Sequence, residues 1–135
     1  MDELEKIKKE MMLKMLKSKE FEKSIFETTE NEFGEKVLKK SFEKPILVDF
    51  YADWCMPCLI LKPVLEKIVK EYQNKVMLAK VNVDRCPNLS KKYSIMSIPN
   101  VKLFKNGKVV GEFVGVMSEG AIRKFLEKYA GGKND

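Results

Sequence analysis

The sequence predicts an α/β protein in which a central mixed β-sheet is flanked by helices on both faces and preceded by an N-terminal helical extension. Two observations support this fold class. Runs rich in β-branched and aromatic residues alternate with segments whose apolar residues recur at helical spacing. Near the C-terminus, apolar and polar residues alternate on either side of Asn106-Gly107, a pair that favours a tight β-hairpin. Strands that are joined through a helix pair in parallel, whereas the two strands of a hairpin pair in an antiparallel way. The sheet should therefore be mixed.

The central strand is predicted at residues 46–52, ILVDFYA. A nearly continuous apolar run of this kind suits a strand that is covered on both faces. Asp49 is the one charged residue inside it. Residues 24–28 and 76–84 predict two further strands.

Helical spacing of apolar residues predicts further helices between the strands. In chain order they are a segment with apolar positions Phe33, Val37, Leu38 and Phe42, a segment from the cysteine pair of WCMPC to Tyr72, a short helix at 89–93, and a last helix from Ser118 to about Tyr129.

The N-terminal extension is predicted as an amphipathic helix over residues 1–20, followed by one domain over residues 21–135. Leu4, Ile7, Met11 and Met15 share one helix face. We expect this stripe to pack on its own domain or on a second copy, with a partner-docking or membrane-surface helix as the alternative. The protein should be a monomer, or else a dimer through this helix.

Composition argues against nucleic-acid and membrane partners. The 135 residues suit one domain with one core, and 44% apolar and 34% charged residues are ordinary for a folded chain. The net charge of +6 is spread along a chain in which lysine alternates with glutamate, whereas phosphate binding needs a clustered basic face. There is no apolar run near the roughly 18 residues of a membrane span and no secretory pattern in the charged N-terminus, so we expect a cytoplasmic protein.

Two cysteines three residues apart in WCMPC, residues 54–58, could be a redox pair, half of a metal site or two unrelated thiols. Zinc and iron–sulfur sites usually take four ligands. The chain has no histidine and one further cysteine, Cys86, so a metal site would need ligands shared across a dimer.

A redox pair fits the local pattern better. The motif follows a buried type of strand and opens a helix, where free N–H groups and the helix dipole favour a thiolate. Cys55 stands first and should be the more exposed sulfur, and Cys58 is about one turn later, within disulfide reach. Cys55 would attack a partner's disulfide and Cys58 would release the product. Without histidine, Asp49 is the natural proton acceptor, and its burial should raise its pKa.

Several segments, taken in order, resemble the thioredoxin family. ILVDFYADWCMPC resembles the family's active-site strand and loop, KPVLEKI its proline-containing helix, and AKVNVD its next strand. YSIMSIPNVKLFKNGKVVGEFVG resembles the segment with a cis-proline, a hairpin and a glycine near the substrate groove. The resemblance covers roughly residues 24–130.

The resemblance implies a protein-disulfide reductase that needs no cofactor or metal and is re-reduced by a thioredoxin reductase. Cys55 would be the nucleophile and Cys58 the resolving thiol of a redox-active disulfide that reduces client proteins. Asp49 would help to move the Cys58 proton, and Lys80 would tune Asp49. The residues implied in substrate binding are Trp54, Met56, Pro57, Ile98, cis-Pro99 and Gly115.

The chain departs from the family pattern beside the cysteines. Met56 stands where the family usually has glycine, and Leu59 stands where it often has lysine, so the rim of the site should be more apolar. No histidine separates the cysteines, which favours a reductant over an isomerase-like relative. Cys86 should be a lone buried thiol, with a regulatory or dimer-forming disulfide as the alternative. A binding module with incidental cysteines is the competing function.

Overall fold

The structure, a computed structural model, describes residues 2–132, apart from the side chains of residues 17–23. Within that part of the chain, one sheet contains five strands. They are β1 (Ile25–Glu27), β2 (Ile46–Tyr51), β3 (Met77–Asn82), β4 (Asn100–Lys105) and β5 (Lys108–Val114). The α-helices are α1 (Glu3–Ser24), α2 (Met56–Glu71), α3 (Pro87–Lys92) and α4 (Glu119–Ala130), with a π-helical segment at Gly34–Lys39 and a 3₁₀ turn at Lys40–Phe42.

The predicted mixed sheet is confirmed. Its strand order is β1-β3-β2-β4-β5, with β1 and β2 parallel to β3 and with β4 antiparallel to both β2 and β5. The hairpin turns at Asn106 and Gly107, whose positive φ angles of 54° and 79° fit the tight two-residue loop.

Strand β2 lies at the centre of the sheet and is buried from Ile46 to Phe50. Because successive side chains of a strand point to opposite faces, its two sides enter different cores. Leu47 packs with residues of α2 and α4, whereas Ile46, Val48 and Phe50 pack with the π-helical segment and α3. Asp49 therefore lies on the Leu47 face, beneath α2.

The segment predicted as the second helix is helical but irregular. It begins as a π-helix and tightens to a 3₁₀ turn, and the change in residues per turn rotates its apolar face. Phe33 and Val37 are buried as expected. Phe42, the last apolar position of the segment, is 66% exposed, and its ring lies beside the hairpin turn at Gly107.

Helix α1 continues to Ser24, past the end predicted at residue 20, and passes directly into β1. Its stripe of Leu4, Ile7, Met11 and Met15 is 45–62% exposed. The stripe therefore does not pack on its own domain, because the unbroken helix has no turn that would fold residues 2–16 back. None of the helices in the described residues is long and apolar enough to cross a membrane.

Candidate active site

The cysteine pair lies at the N-terminus of α2, where the sequence predicts it. Cys55 is the residue that caps the helix, and its sulfur accepts the backbone N–H of Cys58 at 3.3 Å. Pro57 occupies the first turn, where its missing N–H removes no helical hydrogen bond. The two sulfurs are joined in a disulfide across a Cα–Cα distance of 5.3 Å. A helix that begins this way presents an N–H donor to the sulfur of Cys55, which stabilises its thiolate form.

Both cysteines are nearly buried, at 4% exposure for Cys55 and 3% for Cys58. The expected greater exposure of Cys55 is therefore not seen in the disulfide form, in which Ala52 packs with both residues. What separates the two residues is the space that each one faces. Cys55 faces an open groove on one side, and Cys58 faces a small cavity on the other.

The groove beside Cys55 measures about 500 Å³ and is mostly apolar. The sulfur of Cys55 lies 3.9 Å from the carbonyl oxygen of Ile98 in its wall. Trp54 and Met56 are exposed at its edge, and the Trp54 indole N–H donates to Asp84 at 2.9 Å. The residues that line this groove are Trp54, Cys55, Met56, Pro57, Val83, Ser90, Ile95, Met96, Ser97 and Ile98.

The resemblance implied a cis-proline at position 99, and the Ile98–Pro99 peptide bond is cis. Gly115, at a φ of 88°, donates its N–H to the carbonyl oxygen of Pro99 at 2.8 Å. Neither Pro99 nor Gly115 is among the described residues that line the groove. Their contact with a substrate stays a prediction.

Sequence reasoning did not identify Met96. Its side chain is fully open to solvent at the groove, two residues before Ile98. A large exposed methionine beside Met56 widens the apolar rim and can adapt to different partner surfaces. The one signal in the sequence was its position in SIMSIP, directly before the cis-proline segment.

The cavity behind Cys58, which we call the Asp49 cavity, measures about 120 Å³. Asp49 is 3% exposed, and its Oδ1 has no hydrogen-bond partner among the described residues. Burial raises the pKa of Asp49 to about 7, against the lowering effect of the Lys80 ammonium. The residues that line this cavity are Glu27, Asp49, Tyr51, Asp53, Cys58, Leu59, Lys62 and Lys80. The structure thus brings Asp49, Lys80 and Cys58 to one cavity.

Lys80, which the resemblance implies as the residue that tunes Asp49, makes an ion pair with Glu66. Its Nζ lies 3.6 Å from Glu66 Oε1 of α2. Lys80 acts on Asp49 through space, because the two residues are in register on β3 and β2.

Cys86 is a buried thiol in the core between the sheet and α3, at 3% exposure. Burial raises the pKa of this thiol, which disfavours its reactive thiolate. The structure therefore favours the lone buried thiol over a regulatory or dimer-forming disulfide. No group of three or more histidine, cysteine or acidic side chains within the described residues could hold a metal ion.

Comparison with known proteins places this chain among the thioredoxins. The family model described as Thioredoxin matches residues 24–128. The thioredoxin of Buchnera aphidicola subsp. Acyrthosiphon pisum (strain APS) is 48% identical over 105 residues, which cover 77% of this chain and 94% of that protein. The thioredoxin of Chlorobaculum thiosulfatiphilum is 41% identical over 106 residues, which cover 78% of this chain and 96% of that protein. The mitochondrial thioredoxin of Bos taurus is 45% identical over 89 residues, which cover 66% of this chain and 54% of that protein.

Proposed function

This chain belongs to the thioredoxin family and is a thiol–disulfide oxidoreductase, and on that premise we propose that it works as a reductase of disulfides in partner proteins. The observation that carries the proposal is the position of Cys55 at the N-cap of α2, with the backbone N–H of Cys58 directed at its sulfur. A sulfur held in this way is ready to attack as a thiolate.

The first step joins the protein to its client. The Cys55 thiolate attacks one sulfur of the client disulfide, the client S–S bond breaks, and the second client sulfur leaves as a thiolate that takes a proton from water. The apolar groove edged by Trp54 and Met56 supports contact with a protein surface. The backbone at Ile98, close to the Cys55 sulfur, would pair with an extended client segment as an added strand does.

The second step releases the client. The Cys58 thiol passes its proton to the Asp49 carboxylate, and the resulting thiolate attacks the sulfur of Cys55. The mixed disulfide breaks, and the client sulfur leaves as a thiolate that is then protonated. The client has gained two electrons, and Cys55 and Cys58 form a disulfide. Asp49 suits this role because a pKa of about 7 lets it take up and lose a proton near neutral pH. Lys80 would stabilise the charged form of Asp49.

The cycle needs a second protein to restore the dithiol. We propose a thioredoxin reductase as that partner, disulfide-containing proteins as clients, and the cytoplasm as the compartment, because a dithiol reductant works where thiols are kept reduced. We also propose that residues 21–135 carry the activity and that residues 1–20 are an extension. The exposed α1 stripe and the family match that begins at residue 24 support this division.

A Cys58→Ser variant tests the proposed function, because it removes the step that releases the client. Mixed with oxidised insulin, the reduced variant should form a mixed disulfide at Cys55, whereas the wild type should turn over without accumulating one. Mass spectrometry without reductant detects the adduct, and dithiothreitol should reverse it.

Two matched variants sharpen this trap. Adding Cys86→Ser to the variant should leave the adduct unchanged, since Cys86 is buried. A chain that begins at residue 21 should form the adduct equally well if residues 1–20 are only an extension. Partners that stay bound with no covalent link to Cys55 would instead support a binding module.

A further inference from the structure

The Asp49 cavity is also lined by a glutamate and a tyrosine, Glu27 and Tyr51, which are hydrogen-bonded to each other and which the proposed reaction does not use. We propose that Glu27, held in place by Tyr51, is a positioning residue for proton transfer at Cys58: its negative charge opposes the effect of the Lys80 charge on the Asp49 carboxylate. This inference rests on the proposed function, in which Asp49 accepts the Cys58 proton.

Three neighbouring strands place Glu27, Lys80 and Asp49 in one row. Glu27 of β1 is in register with Lys80 of β3, and Lys80 is in register with Asp49 of β2. Residues in register on adjacent strands point to the same face of the sheet, and all three side chains line the Asp49 cavity. Lys80 therefore occupies the strand position between the two carboxylate residues, while its ammonium forms an ion pair with Glu66 of α2.

The hydroxyl of Tyr51 fixes the carboxylate of Glu27. Its oxygen lies 2.6 Å from one carboxylate oxygen of Glu27 and 2.7 Å from the other. An exposed glutamate without such a partner samples many rotamers, and its charge is spread into solvent. Burial and the neighbouring Glu27 raise the pKa of Tyr51, so the hydroxyl remains a donor across the neutral range. Tyr51 is two residues after Asp49 on β2, so it projects from the same face.

Charges of both signs surround Asp49 and have opposite effects on its pKa. The groups that face it or its cavity are Glu27 on β1, Tyr51 on β2, Lys80 on β3, Cys58, Lys62 and Glu66 on α2, and Asp53 in the loop before α2. Burial is the largest influence on Asp49, and Lys80 acts against it by favouring the charged carboxylate. Glu27 and Glu66 act against Lys80. Glu66 is the carboxylate that pairs with Lys80, and Glu27 is the one whose place is set by Tyr51.

A Glu27→Gln variant tests the inference directly, because it keeps the size and the acceptor oxygen of the side chain and removes its charge. Without a like charge nearby, the charged form of Asp49 is favoured, so its pKa should fall. The acid dissociation constant of Asp49 should rise roughly threefold to tenfold. The measurement is the titration of the Asp49 carboxyl carbon by NMR in the disulfide form, which needs no turnover.

Two further variants test whether the position of the Glu27 charge matters. Tyr51→Phe keeps the Glu27 charge and removes its anchor, so it should move the Asp49 titration in the same direction by a smaller factor. Glu35→Gln makes the same change in net charge at an exposed residue of the π-helical segment, paired with Lys39 at 3.5 Å, and should leave Asp49 unchanged. An Asp49 titration that is the same in Glu27→Gln and in wild type overturns the inference.

A kinetic measurement connects the titration to the reaction. The release of reduced insulin from the mixed disulfide should reach its half-maximal rate at a lower pH in Glu27→Gln than in wild type. A shifted Asp49 titration with an unshifted rate profile would also overturn the inference, because Glu27 would then not position the proton transfer. Failure of the proposed function appears separately, as a wild-type protein that does not reduce insulin.

Discussion

A Cys55→Ser protein should lose its catalysis of insulin reduction by dithiothreitol, by roughly 10³-fold or more, as expected when a catalytic nucleophile is removed. Serine cannot form a disulfide, and its hydroxyl does not ionise near neutral pH. Cys58 cannot take over the attack, because it faces the Asp49 cavity and not the open groove. The rate of insulin precipitation measures the loss.

The third cysteine supplies the control for this loss. Cys86→Ser removes one sulfur from the chain without touching the groove or the Asp49 cavity, so its rate should match the wild type. If the Cys55→Ser protein retained the wild-type rate, another group would be the nucleophile and the proposed reaction would be wrong.

An Asp49→Asn protein should be more stable than the wild type at high pH and lose that advantage as the pH falls. The pKa of Asp49 is raised from 3.8 to about 7 in the folded protein, so the folded state holds a proton that the unfolded state releases. The wild type is therefore most stable below the unfolded value, weakens as the pH rises between 3.8 and about 7, and changes no further through this group above that. Asparagine carries no such proton.

The difference between the two proteins follows from the same pKa values. Each pH unit between them costs about 1.4 kcal/mol, so the free energies of unfolding should diverge by roughly 4 kcal/mol between about pH 4 and pH 8. Urea unfolding of the disulfide forms over this range measures the divergence. The change of this difference with pH, rather than its value at one pH, is compared, because the effect of the asparagine amide itself does not depend on pH. If the free energies of unfolding of the two proteins changed with pH in parallel, Asp49 would have the same pKa in the folded and the unfolded protein, which would contradict the prediction.

Local sequence was enough to locate the cysteine pair and the strand that carries Asp49. The apolar run around Asp49 predicted a central strand, and the spacing of Cys55 and Cys58 predicted two cysteines within disulfide reach at the start of a helix. Asn106-Gly107 likewise predicted the hairpin turn. Each of these features depends on residues close together in the chain. The cis bond before Pro99 came from the family resemblance, since no local pattern distinguishes it from an ordinary trans proline.

Features that depend on strand register or tertiary packing could not be predicted from local sequence. Glu27 and Tyr51 are 24 residues apart, and their pairing appears only once β1, β3 and β2 are aligned. Helical spacing grouped Phe42 with Phe33 and Val37, but the switch from π-helix to 3₁₀ turn leaves Phe42 exposed while the other two are buried. The apolar stripe of α1 predicted a helix correctly, and spacing alone could not tell that its own domain leaves the stripe uncovered.

The N-terminus of α2 should hold the Cys55 sulfur as a reactive thiolate, and alkylation of this sulfur at a series of pH values measures that state. In reduced Cys58→Ser protein, iodoacetamide should modify Cys55 rapidly at neutral pH while the buried Cys86 reacts slowly. The rate of Cys55 modification should reach half its maximum at a pH well below the value of about 8.5 for a free cysteine. A rate profile that coincides with that of an unstructured cysteine peptide would contradict it.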